Sequence, residues 1–334
     1  MKKFLLPKNG NFYKANLHCH TNLSDGRLSP IEIKKLYKDN GYSIVAYTDH
    51  DVFIPHNDLT DDKFLALNGY EWEIYEGYPN KNHFNRTFHA CLIATNDKMN
   101  TPVCFHREKY FIGNGINHID EINYDKTLAD FEREYSADCV NTLFKEAKKA
   151  GFFTTYNHPT WSGETYREYM NYQGMDAMEI YNHECATLGF DEYNARAYED
   201  MLLGGKRIYC IAADDNHNKH QDMGGFIMIK ADKLDYPTVI SALKEGHFYS
   251  SNGPLIEELY LDGDMLCIKT SPAHSITLTN AVRRGSIFRT DENSPVTSAQ
   301  FKITPDDKFI RITVKDEKGK FACTNAYFID ELLK

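Results

Sequence analysis

The chain has 334 residues, of which 42% are hydrophobic and 13% aromatic, so it is long enough for one large domain and a smaller one. Its net charge is −10 and no block of basic residues stands out, which disfavours nucleic acid as the main partner because phosphate backbones are bound by basic surfaces. No apolar stretch approaches the ~20 residues of a membrane span, and residues 1–6 are too short an apolar run for a secretory signal.

The eight cysteines stand at scattered positions and form no Cys-x-x-Cys pair. In a chain of this length, that usage is typical of reduced thiols rather than of a disulfide framework. We therefore expect a soluble cytoplasmic protein, and the sequence favours no particular oligomeric state.

Alternating strands and helices are predicted from residue 13 to residue 250. Ser29 and Pro30 open an amphipathic helix that Gly41 closes, and a longer helix runs from Ala137 to Gly151. Further helices are predicted at 193–203 and 238–243. The predicted strands are 13–17, 43–48, 63–68, 88–95, 152–156, 175–181, 207–213 and 248–250. This alternation favours an α/β fold with a mainly parallel sheet or barrel.

Two stretches depart from the alternation. Residues 96–136 are polar, rich in Asn, Asp and Tyr, and are predicted to be an insertion, with an ordinary surface segment favoured over a functional lid. After Ser251-Asn252-Gly253-Pro254, short alternating apolar runs follow one another, with hairpin-type turns at Asp262-Gly263 and Lys318-Gly319. We predict two domains, an α/β barrel at 1–253 and a small antiparallel β domain at 254–334.

Metal-ligand side chains recur just after the predicted strands. His18 and His20, one residue apart, can aim their imidazoles at one point, and neutral imidazole is a common ligand of transition metals. In an α/β barrel the C-terminal ends of the strands converge, so side chains placed there meet. The set predicts one multinuclear metal site, formed by His18, His20, Asp25, His50, Glu71, His158, Asp215 and His217.

His89 is the exception, because it lies at the start of its predicted strand. A ligand at that end requires an antiparallel strand or a distorted barrel, and His83 is its main competitor for the position. Cys19, between two ligand histidines, should point away from the metals in an extended run. The other histidines are predicted to be structural or surface residues: His56, His106, His118, His183, His220, His247 and His274.

These motifs resemble those of the polymerase and histidinol phosphatase (PHP) superfamily of metal-dependent phosphoesterases over roughly residues 13–253. The matching segments are His18-Cys19-His20, Ser24-Asp25-Gly26, Thr48-Asp49-His50-Asp51, Glu71, His89, Asn157-His158-Pro159 and Asp215-Asn216-His217. The resemblance implies a distorted (β/α)7 barrel, in which the position of His89 is acceptable. In the last motif relatives have Gly-Ser-Asp-x-His, so Asp214 is an additional acid here.

The resemblance also implies up to three metals shared among nine ligands. His18, His20, Glu71 and Asp215 would hold the first, Glu71 with His89 and His158 the second, and Asp25, His50 and His217 the third. A mixed histidine and carboxylate set suits Mn²⁺, Fe²⁺ or Zn²⁺ better than Mg²⁺ or Ca²⁺. Within this set the predicted catalytic residues are His18, His20, Glu71, Asp215 and His217.

Two or three such cations would lower the pKa of a bridging water and neutralise the charge that develops on a phosphoryl group. Asp49, Asp51 and Asp214 are predicted to orient the ligand imidazoles. Four arginines are possible phosphate clamps that the sequence does not rank: Arg27, Arg107, Arg167 and Arg196.

The leading hypothesis is hydrolysis of a small phosphate mono- or diester. An amidohydrolase-like C–N hydrolase is the alternative enzyme, but it expects a bridging lysine at a strand end, and the sequence places none there. A non-catalytic metal-binding regulatory module is disfavoured, because suitable residues occupy all nine ligand positions.

Overall fold

A computed structural model describes residues 2–80, 85–218, 223–282, 285–289 and 294–332. Over these ranges the chain has a mixed α/β fold built on one large sheet, as the alternating pattern predicts. Two histidines named above, His83 and His220, lie outside the described residues. Among the helices in these ranges, none combines the length and the apolar character needed to cross a membrane.

The strands alternate with helices up to residue 251, and strands predominate after it. In chain order they are β1 (Lys3–Phe4), β2 (Asn11–Asn16), β3 (Ile44–Tyr47), β4 (Leu65–Tyr75), β5 (Thr87–Ala94), β6 (Phe152–Tyr156), β7 (Ala177–Asn182), β8 (Tyr209–Ala213), β9 (Phe226–Ala231), β10 (Phe248–Ser251), β11 (Ile256–Asp262), β12 (Met265–Ala273), β13 (Ser275–Asn280), β14 (Ser286–Phe288), β15 (Val296–Lys302), β16 (Phe309–Lys315), β17 (Phe321–Thr324) and β18 (Tyr327–Phe328).

The helices begin and end where local chemistry predicts. Glu32 accepts the backbone N–H of Ser29 at 2.9 Å and completes the N-terminus of the first helix, and Gly151 ends the second with φ at 97°. The helices are α1 (Pro30–Asp39), α2 (Ala137–Ala150), α3 (Tyr166–Tyr169), α4 (His183–Thr187), α5 (Ala195–Leu203), α6 (Tyr236–Lys244) and α7 (Ile329–Leu332), and 3₁₀ turns lie at Asn57–Leu59, Gly115–Glu121 and Pro305–Asp307.

The large sheet is mixed in direction. Its described strands run in the order β14-β13-β16-β17-β10-β9-β2-β3-β4-β5-β6-β7-β8, with β18 beside β16. Strands β2, β3 and β4 are parallel, as are β6, β7 and β8, while β5 is antiparallel to both of its neighbours. The antiparallel direction of β5 is what His89 requires. The strand ladder of the described residues is an open path, not a closed ring.

The two ends of the β2–β8 path nevertheless meet beyond the strands. The backbone N–H of Asp215 donates to the carbonyl of His18 at 3.0 Å, and the N–H of His20 donates to the carbonyl of Asn216 at 3.1 Å. These bonds join the segment after β2 to the segment after β8. Two groups of predicted ligands are therefore held together by backbone hydrogen bonds.

Several elements differ from the prediction. β4 continues to Tyr75, well past the predicted end at residue 68, and β9 is absent from the prediction although it is an apolar strand between β2 and β10. The last of the short apolar runs predicted after residue 254, which spans 322–329, is divided among β17, β18 and the start of α7. In segment 96–136, all of which is described, the regular structure is a single 3₁₀ turn.

The C-terminal strands form antiparallel hairpins about Gly263 and Gly319, both with positive φ, as predicted. A hydrophobic cluster joins these strands to Leu5 and Leu6, next to the N-terminal strand β1, which pairs with β11. The division of the chain near residue 253 stays a prediction.

Candidate metal centre

The nine predicted ligands come to one place in the fold from six strands. His18, His20 and Asp25 follow β2, His50 follows β3, His158 follows β6, and Asp215 and His217 follow β8. Glu71 and His89 differ, because they lie inside β4 and β5 rather than beyond a strand end. The prediction that Glu71 follows its strand is wrong, because the antiparallel partner β5 extends β4 past the ligand.

Glu71 lies at the centre of the cluster and is fully buried. Its two carboxylate oxygens are 3.1–3.5 Å from imidazole nitrogens of five histidines, which are His18, His20, His50, His89 and His158. A carboxylate surrounded in this way can reach more than one cation. This position suits the bridging role that the resemblance implies for it.

Asp215 and Asp25 lie on either side of His20. Asp215 Oδ1 is 3.0 Å from His20 Nε2 and 3.2 Å from His18 Nε2. Asp25 is 3.5 Å from His217 Nε2 and 3.7 Å from His50 Nε2. The donor atoms of Asp25, His20, His50 and His217 all lie within 4.8 Å of one another.

The grouping differs in detail from the sets that the resemblance implies. His20 is near enough to serve with Asp25 and His217 as well as with Asp215, and His50 lies between Glu71 and Asp25. His158 groups with His18 and with Glu179, which the sequence analysis does not include. The remaining described histidines belong to none of these groups; they are His56, His106, His118, His183, His247 and His274.

The crowded donor atoms fit a metal better than they fit hydrogen bonding. Five buried atoms of the predicted ligands have no hydrogen-bond partner among the described residues: His20 Nδ1, His50 Nδ1, Glu71 Oε2, His89 Nδ1 and Asp215 Oδ1. Two ligand atoms that each lie about 2.1 Å from a shared cation at right angles are about 3 Å apart, which is the spacing seen here. Buried polar atoms are normally paired, so these unpaired ligand atoms fit the binding of a cation.

Strained backbone marks the same positions. His158 and Asp215 have φ of 26° and 55°, and Asp51, next to His50, also has φ of 55°. Left-handed conformations cost non-glycine residues on the order of 1–3 kcal/mol and are concentrated at functional sites. The fold therefore maintains unfavourable backbone angles at two predicted ligands.

The clustered groups shift one another's pKa values. Burial alone would raise the pKa of Glu71, but the imidazoles of His18, His89 and His50 hold it well below its usual range. Burial would lower the pKa of His89, but Glu71 and Glu73 raise it to about 10. His50 differs, because burial and His20 lower its pKa to about 4.

The pKa of His217 is raised, as that of His89 is. Burial would lower its pKa, but Glu184, Asp215 and Asp25 raise it to about 10. In the metal-free protein, protonated histidines therefore neutralise the carboxylates near them. Cations that bind here would replace those protons.

Outer carboxylates hold the ligand rings in place, and the sequence analysis missed them. Glu179 lies 2.8 Å from His18 Nδ1 and accepts the backbone N–H of His158 at 2.9 Å. Glu184 lies 3.2 Å from His217 Nδ1, and Glu73 lies 3.1 Å from His89 Nε2. Such contacts select the ring nitrogen that faces a metal.

Two uncharged groups also contact the ligands. Asn157 donates to Glu71 Oε1 at 2.7 Å, and its amide also lies 3.1 Å from the thiol of Cys91, whose sulfur groups with donor atoms of His18 and Glu71. The hydroxyl of Ser162 lies 3.1 Å from His158 Nδ1. None of these residues carries a motif of its own, except that Asn157 precedes a ligand histidine.

Two of the acids predicted to orient the ligand imidazoles make other hydrogen bonds instead. Asp49 accepts hydrogen bonds from Thr21 and Ser24 and so shapes the turn that carries Asp25. Asp214 accepts the backbone N–H groups of Gly224 and Gly225 at 2.8 and 2.7 Å. That prediction is wrong, because these side chains accept hydrogen bonds from backbone N–H groups and hydroxyls rather than from the ligand rings.

Asp51, the third of those acids, is paired with Arg133, a residue that the sequence analysis did not consider. The ligands open onto a pocket of ≈ 410 Å³, and Arg27 is the one of the four candidate arginines that lines it. Arg107 pairs with Asp130 instead, and Arg196 pairs with Asp200. Ile112, from segment 96–136, also lines the pocket.

The chain was compared with known proteins. No family model matches it, and no curated protein does so either. Among solved structures, it matches a two-domain protein containing a predicted PHP-like metal-dependent phosphoesterase from Bacteroides vulgatus ATCC 8482, with 15% identity, coverage of 98% of each chain and a TM-score of 0.47.

Two further matches are shorter. One is a candidate metal-dependent phosphoesterase from Bifidobacterium adolescentis ATCC 15703, at 14% identity, with 66% of this chain and 91% of that chain covered and a TM-score of 0.40. The other is an amidohydrolase from Chromobacterium violaceum with bound sulfate and no metal, at 15% identity, 70% and 96% coverage and a TM-score of 0.42.

Proposed function

We propose that the protein is a metal-dependent phosphoesterase that hydrolyses a small phosphate mono- or diester. The observation that carries this proposal is the group of buried, unpaired donor atoms around Glu71. Their spacing and the mixture of imidazole and carboxylate support two or three cations such as Mn²⁺, Fe²⁺ or Zn²⁺.

The nine predicted ligands would hold these cations, and Glu71 would bridge them. Cations at this position supply an activated water for attack on phosphorus and offset the charge on the phosphoryl oxygens. Glu179, Glu184 and Glu73 keep three of the imidazoles in the required orientation. The exposed side chain of Arg27 is placed to contact a phosphoryl oxygen at the mouth of the pocket.

We extend the proposal to the fold and to the compartment. Strands β2–β8 would form the distorted (β/α)7 barrel of PHP proteins, and the backbone bonds from His18 to Asp215 and from His20 to Asn216 support closure of that ring. All eight cysteines are free, which supports a reducing, cytoplasmic location.

C–N hydrolysis by an amidohydrolase-like mechanism is less well supported. That chemistry expects a bridging lysine, and no lysine is among the described residues that line the pocket. The pocket instead carries Arg27, whose planar guanidinium suits a phosphoryl group.

The test is turnover of a panel of phosphate mono- and diesters by Mn²⁺-loaded protein, with metal content measured on the same sample. We expect hydrolysis of at least one ester and loss of both metal and turnover in His18→Ala and in the less buried His217→Ala. His274→Ala, at an exposed histidine far from the cluster, is the control and should behave as the wild type. Full metal occupancy without turnover of any ester would overturn the proposal.

A further inference from the structure

The pocket over the candidate metal centre has a wall that contributes no predicted ligand. Apart from those ligands and the acidic Glu73 and Glu184, the described lining residues are Arg27, Ile112, Trp161, Cys185, Leu188 and Asn218. Most of this wall is apolar, although the floor beneath it consists of carboxylates and imidazoles. Apolar side chains above a charged floor favour a substrate that has an apolar part as well as a charged one.

Trp161 is held against the ligand histidines in a defined orientation. Its backbone N–H donates to Glu192 at 3.0 Å, and its ring makes edge-to-face contacts with His158 at 5.0 Å and with His89 at 5.5 Å. The indole is only partly buried, so part of it remains free to contact a ligand in the pocket. A rigid aromatic surface therefore lies beside one end of the metal cluster.

Two aliphatic side chains extend this surface around the mouth. Leu188, just after α4, is 61% exposed, and Ile112 projects from segment 96–136. The segment is fixed there because the N–H of Asn114 donates to the carbonyl of Ser24 at 2.7 Å. A single exposed leucine is ordinary, but apolar side chains from three separate segments around one charged pocket are not.

Arg27 lies at the other end of the cluster. Its backbone N–H donates to the carbonyl of His217 at 3.0 Å, which places it at the Asp25–His217 end, whereas Trp161 contacts the His89–His158 end. It is the one arginine among the described lining residues, and no lysine accompanies it. One cationic side chain matches one phosphoryl group rather than several.

Granted the proposed phosphoesterase function, we propose that the substrate is a phosphate monoester whose alcohol carries an aromatic or bulky apolar group. That group packs against Trp161 and Leu188, while Arg27 contacts the phosphoryl oxygens. In the reaction, the oxygen of a water molecule bonds to phosphorus, the ester P–O bond breaks, and the alcohol oxygen takes a proton. The products are the free alcohol and inorganic phosphate.

The kinetic test compares benzyl phosphate with methyl phosphate on the Mn²⁺-loaded protein. Both are alkyl esters, so the comparison reports mainly on recognition of the ring. We expect kcat/KM to favour the benzyl ester about tenfold, the size of a good aromatic contact. The preference should disappear in Trp161→Ala and be partly kept in Trp161→Phe.

A matched pair of leucine variants tests the rest of the wall. Leu188→Ser should reduce the preference for the benzyl ester, whereas Leu203→Ser, at a leucine of 56% exposure on α5, should leave it unchanged. Equal kcat/KM for the two esters in the wild type, or a preference that survives in Trp161→Ala, would overturn the inference and leave the phosphoesterase function intact.

A binding test covers the case in which no ester is hydrolysed. The chain has two tryptophans, and Trp72 is fully buried, so a change in fluorescence on adding benzylphosphonate to Zn²⁺-loaded protein reports on Trp161. We expect tighter binding than for methylphosphonate and no signal in Trp161→Phe. Tighter binding without turnover of any ester would reject the phosphoesterase function alone, and equal binding of the two phosphonates would reject the wall assignment.

Discussion

Arg133 forms a buried bidentate ion pair with Asp51, the residue that follows the predicted ligand His50. The same guanidinium donates to the backbone carbonyl of Glu73 at 2.7 Å and lies over the rings of Trp72 and Tyr110 at 4.2 and 4.4 Å. Segment 96–136 therefore contributes a buried side chain next to the predicted ligands. Its Arg133 contacts Asp51, which follows the ligand after β3, and Glu73 in β4, the strand that carries Glu71.

Arg133→Met should destabilise the protein and weaken metal binding, because the charge of Asp51 would remain buried without its partner. Loss of one member of a buried pair costs about 3–5 kcal/mol. Denaturant unfolding measures the stability, and metal titration measures the affinity. Arg107→Met is the control, since Arg107 pairs with Asp130 at the surface and should unfold near the wild-type midpoint. Wild-type metal affinity in Arg133→Met would contradict a positioning role.

Glu179→Gln should weaken metal binding about 10- to 100-fold, the usual effect of losing a carboxylate that orients a ligand histidine. The amide can donate to His18 Nδ1, which favours the ring tautomer with a proton on the nitrogen that should face the metal. Competition with a chelator measures the affinity. Glu192→Gln is the matched control, because this buried glutamate accepts from Trp161 and Asn194 but contacts no ligand ring. Equal losses in both variants would argue for a general packing effect.

Metal uptake should release protons, and apparent affinity should rise with pH. In the metal-free protein the pKa values of His89 and His217 are raised to about 10, so both rings are protonated at neutral pH and compete with cations. Calorimetry in two buffers of different ionisation enthalpy counts the protons released. We expect at least one per protein at pH 7, with affinity still rising at pH 9. Binding without proton release would show that the histidines are already neutral.

Glu164 should make stability fall as pH rises from about 4.5 to 7. Burial raises its pKa to about 7, against the hydrogen bonds of Tyr156, Tyr172 and Tyr135, so the folded state binds a proton that the unfolded state has lost. The full loss of stability is present above pH 7 and is on the order of 3–4 kcal/mol.

Glu164→Gln tests this assignment, because the amide does not titrate. The free energy of unfolding of the variant, relative to that of the wild type, should be higher at pH 8 than at pH 5, as measured by denaturant unfolding at both values. Glu76→Gln is the control, at a partly buried glutamate whose pKa Arg86 lowers, and it should show no such dependence between these two pH values. A difference between Glu164→Gln and wild type that does not change with pH would place the Glu164 pKa near its ordinary value in the folded protein.

The sequence was informative where local patterns decide the structure. α1 and α2 begin and end as Ser29, Pro30 and Gly151 predict, and the ligand histidines stand near apolar runs whose period marks them as strands. The position of His89 predicted either an antiparallel strand or a distorted barrel, and β5 is antiparallel to both of its neighbours. Each of these inferences uses residues that are neighbours in the chain.

Contacts between distant segments could not be predicted in the same way. Glu179 is one alternating position in β7, and nothing local distinguishes it from Asp49 or Asp214, which were chosen because they lie next to ligands. The pairing of Arg133 with Asp51 joins an irregular segment to a strand end, and its partner is fixed only when the chain is folded. For the same reason Arg27 could not be separated from three other arginines.

Backbone hydrogen bonds join the segments that follow β2 and β8. The side chain of Asn16 strengthens this junction by accepting from the N–H of Asp214, 198 residues away in the chain. Since predicted ligands lie on both sides of this junction, cations bound there would link the first and last strands of the β2–β8 path. Their binding energy would then resist local opening at that junction. A shortage of metal would therefore shorten the lifetime of the folded protein.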